Sequence, residues 1–373
     1  MPSRTAAPSR PIRTAAAIAA VVLGGCAPAT RGPLGGTGVA SAGATISSVT
    51  TEYVEAQTVS FALDRIDQRD LPLDRTYRHF GTGSGVTVYV FDGGILESHP
   101  ELAGRVRRGF DAFPSDDRIC NPHGTAVAGA IAGATLGVAP SAEIVDVKMV
   151  ECRRLRGTID AIVEGARWTI ADHARHPERR AIANWSFIAD TAATIPALDS
   201  AVTALRDAGI PVVVSAGNLE MNACRIAPAN SPGAIVVGAS RIRRAGSDSM
   251  ARLLDARTPG TAYGACIDVF APGDSVLLPS MEASGRPTTQ LWTGTSMSAG
   301  YVSGAIALYL EAHPAATPSE IAAHLRARAR RDGRPDAIAA RRTPLRRRGP
   351  ADRGRDALTL ARRRAMAYCH RRP

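Results

Sequence analysis

The sequence predicts an α/β domain built on an open, mostly parallel sheet. Three observations point there. Continuous apolar, β-branched runs at 86–91, 144–150, 181–187, 211–215, 234–237 and 267–270 suit strands buried on both faces. Segments of helical period lie between them, at 123–132, 158–176, 195–208 and 296–311. The residues able to do chemistry fall where such a sheet places its active site, at the carboxyl ends of strands. Asp92 ends the first run, His123 opens the next helix, Asn218 follows the strand at 211–215, and Ser296 opens the last helix.

From the N-terminus, the first segment reads as an address. Arg4, Arg10 and Arg13 form a basic region, and 14–22 is small and apolar. That run is short of the roughly 20 residues a membrane-spanning helix needs, so it reads as a signal peptide. Leu23-Gly24-Gly25-Cys26 then resembles a bacterial lipobox, whose cysteine takes a diacylglycerol anchor. Residues 1–26 are therefore the expected lipoprotein signal. Residues 27–60, largely Gly, Ala, Ser, Thr and Pro at their start, are the expected flexible tether without a recognisable pro-domain. The folded domain is expected over 61–320. Residues 321–373 read as an Arg-rich, poorly ordered tail, a shifted reading frame or a decayed end.

Charge follows this division. The chain carries a net +11, but 321–373 hold 17 Arg against 4 Asp. Without the tail and the three leader arginines, 27–320 carry a net of −5. A mildly acidic domain argues against nucleic-acid binding, which only the tail would support. Gly81-Thr82-Gly83-Ser84-Gly85 precedes a strand, whereas a dinucleotide fingerprint follows one and opens a helix. No C-x₂-C or H-x₃-H spacing supports zinc.

The motifs supply what a serine needs to cleave a peptide bond: a base, a carboxylate to orient it, and donors for an oxyanion. Asp92-Gly93-Gly94 presents a carboxylate in a tight turn. His123-Gly124-Thr125-Ala126 puts an imidazole at a helix start among very small residues. Gly294-Thr295-Ser296-Met297-Ser298 places a hydroxyl at a helix N-terminus, where negative charge is favoured. Ser215-Ala216-Gly217-Asn218 offers a side-chain amide.

These segments, in the order Asp, His, Asn, Ser, resemble the subtilisin-like serine proteases (peptidase family S8), and most closely their proteinase K and aqualysin-like branch. The likeness runs from about Phe61 to Ala316. It implies a three-layer sandwich with helices on both faces of the sheet. It also implies a secreted serine endopeptidase in which Ser296 attacks, His123 moves the proton, Asp92 orients His123, and Asn218 binds the oxyanion. The same resemblance implies disulfides Cys120–Cys152 and Cys224–Cys266. It implies structural calcium (Ca2+) held by Asp268 with the carbonyls of Pro232 and Ala234. Substrate would lie along Arg154-Leu155-Arg156, Ser186-Phe187-Ile188 and Ser215-Ala216-Gly217. The partners expected are protein or peptide substrates met by a monomer that a lipid anchors to a membrane, facing the periplasm or the cell surface.

Several residues depart from the family pattern. Gly93 stands where the family has Thr or Ser, and Pro122 where it has Gly. Ile188 and Ala189 stand for a Gly-Gly pair that lets the substrate backbone approach, so Ile188 would narrow the pocket. Arg154 and Arg156 flank the edge expected to pair with substrate, and would either favour acidic peptides or remain solvated. Gly300-Tyr301 stands for Pro-His. These changes leave a second reading open: a weak or inactive relative that binds peptides.

Overall fold

The computed structural model describes residues 53–116, 118–191, 194–245 and 252–329. In chain order its elements are β1 (Tyr53–Gln57), α1 (Phe61–Ile66), β2 (Thr76–Phe80), β3 (Val86–Asp92), β4 (Val106–Asp111), α2 (His123–Ala132), β5 (Glu143–Lys148), β6 (Val150–Glu151), β7 (Arg156–Gly157), α3 (Ile159–Ala174), β8 (Arg180–Trp185), α4 (Pro196–Asp207), β9 (Val212–Ser215), β10 (Ile235–Ala245), β11 (Arg252–Arg257), β12 (Val269–Pro272), β13 (Val276–Met281), β14 (Pro287–Trp292), α5 (Thr295–Ala312) and α6 (Pro318–Arg328).

An eight-stranded sheet has the order β11-β10-β9-β8-β3-β5-β4, with β12 also on β10. Every pairing in it is parallel except β10 with β11. β3 lies at its centre between β8 and β5, and all seven of its residues are buried. Because side chains alternate along a strand, β3 feeds two separate cores. Val86, Val88 and Val90 join the core that contains α2 and α5. Tyr89 and Phe91 join the core that contains α3 and α4. This is the three-layer arrangement expected.

The helical layers differ in texture. α2 and α5 approach closely through glycines: a Cβ on Gly300 would lie 2.9 Å from Ala130 Cβ, and one on Gly304 would lie 3.0 Å from Ile131 O. The α3/α4 side is filled by Trp185, Leu198, Leu205 and Phe91 instead. Caps set the helix starts. Ser60, Thr158 and Thr317 each accept a first-turn N–H, and Thr317 with Glu320 completes a capping box.

The structure departs from the sequence expectations at both ends of the domain. β1 falls within the stretch expected as a tether and pairs antiparallel with β2. α6 occupies the start of the expected tail, with Ile321 fully buried. Its signals are the capping box and one buried face, too short to show as a sustained apolar period. The partly exposed strands β4, β11 and β14, and the mostly buried β13, were not among the runs read from the sequence. Cys26 and Cys369, the signal and lipobox stretch, and 330–373 lie outside the described residues. Among the described residues, no helix is long and apolar enough to cross a membrane.

Candidate active site

The site forms where β3, α2 and α5 converge. β3 ends at Asp92, whose Oδ1 accepts the N–H of Gly93 at 2.8 Å. The following turn holds the next segment, because Gly93 O accepts the Cys120 N–H at 2.7 Å. A Cβ on Gly94 would run into the backbone of Arg118 and Ile119, and this glycine also has φ +102°. The Cys120–Cys152 disulfide closes from the same segment, and Cys224–Cys266 forms elsewhere. α2 then starts almost on top of the turn. A Cβ on Gly124 would sit 2.5 Å from Gly94 O and 3.0 Å from Asp92 Cβ. Glycine at this position is thus what brings the helix start close to the carboxylate. Pro122 gives no side-chain cap; Asn121 Oδ1 accepts the His123 N–H instead, at 2.9 Å.

The outcome is a hydrogen bond of 2.7 Å between His123 Nδ1 and Asp92 Oδ2. Asp92 is nearly buried, while His123 keeps 30% exposure. Burial works to lower the His123 pKa, but the charge and hydrogen bond of Asp92 outweigh it and hold it above its ordinary value. With Nδ1 on Asp92, Nε2 is left as the nitrogen available for proton transfer.

α5 supplies the hydroxyl. Ser296 is the second residue of the helix and 7% exposed. Its Oγ donates to Ser186 O at 3.1 Å, and Ser186 Oγ in turn reaches Ser296 O at 3.1 Å. This reciprocal pair ties the helix start to the end of β8. Asn218 is oriented through its oxygen. Oδ1 accepts the Thr295 N–H at 2.9 Å and the Thr295 hydroxyl at 3.1 Å, so its Nδ2 donor is free to face a ligand. Gly217 N–H donates to Thr295 Oγ1 at 3.1 Å, locking the 215–218 loop to the same helix.

The expected substrate residues fall in two places. Ser186, Phe187, Ile188, Ser215, Ala216 and Gly217 come together: Ser215 Oγ donates to Phe187 O at 3.3 Å, and a Cβ on Gly217 would lie 3.3 Å from Ile188 Cγ2. Ile188 therefore leans on Gly217 and takes up room there. Arg154 and Leu155 lie at the tip of the β6–β7 hairpin, with Arg156 opening β7. All three are exposed, and Arg154 pairs with Glu151 at 3.2 Å.

The residues expected to hold calcium do not fit that role in this arrangement. Asp268 Oδ1 holds Arg326 Nη1 at 2.6 Å, and its Oδ2 accepts the Val236 N–H at 2.9 Å. A carboxylate already engaged at both oxygens, with a guanidinium on one, is a poor ligand for a second cation. The acidic and sulfur cluster of Asp116, Cys120 and Cys152 offers no thiolate either, since its sulfurs form the disulfide.

Sequence reasoning missed three neighbours of the site. Trp292, at the end of β14, meets the His123 ring edge-on at 6.2 Å between centroids. Asn184 Oδ1 accepts the Ser186 hydroxyl at 2.8 Å, beneath the serine. Asp146 lies buried on β5 and pairs with Arg118 at 2.5 Å. It also accepts the Ile95 N–H at 3.2 Å, just past the Asp92 turn. Burial pushes the Asp146 carboxyl up to about 7 against the pull of Arg118. A charge inside the apolar run 144–150 was the one signal for it.

An α/β sandwich with an Asp–His pair at a strand end and a serine at the start of the helix packed on α2 defines a subtilisin-type hydrolase scaffold. The chain belongs to the subtilase family (peptidase S8), whose sequence model matches residues 83–350. That match runs beyond the point near Ala316 where the resemblance was expected to stop. The chain is 40% identical over 268 residues to an extracellular serine proteinase of Thermus sp., covering 71% of this chain and 60% of that protein. It is 35% identical to the alkaline serine exoprotease A of Vibrio alginolyticus, covering 72% of this chain and 46% of that one. The crystal structure of a cold-adapted subtilisin-like serine proteinase superposes with a TM-score of 0.61 at 35% identity, covering 73% of this chain and 92% of the other.

Proposed function

We propose that this protein is an exported serine endopeptidase, anchored by lipid at Cys26, that cleaves protein or peptide substrates through an acyl-enzyme. The observation that carries this reading is the 2.7 Å Asp92–His123 bond, at the site where α2 packs on the buried helix that opens with Ser296. Ser296 Oγ leaves Ser186 O by rotation about one side-chain torsion and attacks the scissile carbonyl carbon. His123 Nε2 takes the hydroxyl proton, and Asp92 stabilises the imidazolium that results. The oxyanion receives hydrogen bonds from Asn218 Nδ2 and the Ser296 backbone N–H, which lies in the unpaired first turn of α5. His123 then gives its proton to the leaving amine, and water repeats the sequence on the acyl-enzyme. Calcium at Asp268 forms no part of this proposal.

Substrate preference follows from Ile188. Its side chain against Gly217 favours a small residue on the acyl side of the scissile bond. Ile188→Gly should raise kcat/KM for peptides with a large residue there by roughly tenfold or more, at little cost to small ones. Equal profiles for the two enzymes would remove Ile188 from the pocket.

A second reading, a peptide-binding relative of little activity, is favoured by one contact: the Ser296 hydroxyl donates to Ser186 O. A fluorophosphonate probe separates the two, because it needs an activated serine but no matching peptide. Labelling of the full chain that Ser296→Ala abolishes supports the protease. Folded wild-type protein that stays unlabelled leaves the peptide binder.

A further inference from the structure

β10 and β12 pair in parallel, Val237 opposite Val269, so their leading ends lie side by side. Asp268 closes that end. Its N–H donates to Val236 O at 2.9 Å, and its Oδ2 accepts the Val236 N–H at 2.9 Å. Its remaining oxygen, Oδ1, faces α6 and holds Arg326 Nη1 at 2.6 Å, with Asp268 only 15% exposed. The second half of the expected metal cradle is the turn from Pro232 to Ala234. There the space beside Gly233 is filled by the side chain of Arg206, from the last turn of α4. A Cβ on Gly233 would lie 2.7 Å from Arg206 Cζ. Two guanidinium groups thus stand against the residues the family resemblance assigns to one divalent cation.

We propose that Arg326 on Asp268, with Arg206 against Gly233, replaces the calcium ion in this protein. The domain is clamped here by an intramolecular cation and has no Asp268-dependent calcium site. The physics favours one occupant or the other. Calcium wants six to eight oxygen ligands, commonly with both oxygens of a carboxylate. Here one oxygen is spent on a guanidinium and the other on a backbone N–H. A divalent ion placed beside a guanidinium is repelled by it. The arginine neutralises the same carboxylate and adds what an ion would not: it fastens α6, whose buried residue is Ile321.

The test uses the full chain with Ser296→Ala, so that self-digestion does not distort melting. Tm is read in EDTA and in millimolar calcium chloride, and calcium binding is followed by calorimetric titration. With Arg326 in place, Tm should be the same in both buffers as far as Asp268 contributes. Arg326→Ala should melt lower in EDTA by about 2–4 °C. Calcium should recover part of that loss, and Asp268→Asn should abolish the recovery. Arg326→Lys keeps the charge and should lose less, which separates the clamp from a general fault in α6. Two results would overturn the proposal. One is a calcium-dependent rise in Tm with Arg326 in place that Asp268→Asn removes. The other is an Arg326→Ala protein that melts like its parent in both buffers.

Discussion

Asp92 and Asp268 sit at opposite ends of the same sheet, and each holds one basic group through a short contact. Asp92 ends β3 and holds His123 at 2.7 Å; Asp268 precedes β12 and holds Arg326 at 2.6 Å. Their backbones are treated alike, since each carboxylate also accepts an N–H near its own strand. What differs is the partner. Histidine changes charge near neutral pH, so its pair can pass a proton. A guanidinium keeps its charge throughout, so its pair can only hold. Under the proposed function, the carboxyl end of the sheet carries the chemistry and the amino end carries scaffolding.

The largest effect expected breaks the chemical pair alone. Ser296→Ala should cost about 10⁶ in kcat, and Asp92→Asn about 10⁴, with the double variant scarcely worse than Ser296→Ala; losses of this size are those of serine proteases in general, subtilisin among them. Single-turnover hydrolysis of a reporter peptide checks them. Additive losses would show that the two residues do not act as a unit.

The same pair should set the pH dependence. Catalysis needs neutral His123, whose pKa Asp92 raises above about 6.5. The kcat/KM profile should therefore rise with a midpoint above that value, and the residual activity of Asp92→Asn should rise at lower pH. Stability has the opposite sign. A histidine raised in the folded state contributes fully below its unfolded pKa, and the contribution fades as pH rises through the folded one. Asp92→Asn should thus lower Tm more at pH 5.5 than at pH 9.

A third variant attacks the geometry and leaves the titrating groups in place. Gly124→Ala forces a Cβ against Gly94 O and Asp92 and should cost about 1–3 kcal/mol of stability. It should also slow labelling by a fluorophosphonate while the protein is still folded. Labelling at the wild-type rate would mean that the start of α2 tolerates the displacement.

The smallest effect sharpens the contrast. Asp268→Asn should cost about 1–2 kcal/mol, since Arg326 is partly exposed and solvent screens the pair. Melting curves of the variant and its parent in one buffer decide it; an unchanged Tm would remove the pair from the scaffold.

The central strands β3, β5, β8 and β9, with helices α2, α3, α4 and α5, were legible because burial on both faces imposes continuous apolar runs. The edges were not. β4 and β11 carry arginines and acids on exposed faces, and β13 and β14 form a separate hairpin. Such strands owe their existence to their neighbours rather than to a pattern of their own. The site divides the same way. Short motifs singled out Asp92, His123, Asn218 and Ser296, the groups proposed to react. Arg118–Asp146 and Trp292 were not legible, since each acts across a contact that the chain makes only on folding.

By itself, then, the sequence determined the alternation of strands and helices, the two-faced central sheet, and the identity and order of the groups proposed to react. These depend on residue type and on spacing within a few residues, which local sterics and burial convert directly into structure. The tertiary structure alone decided which partner each charged group meets. Arg326 reaches Asp268 across 58 residues, and Arg206 fills the space beside Gly233 from the end of α4. Such pairings depend on where whole elements come to rest, and no local pattern records that.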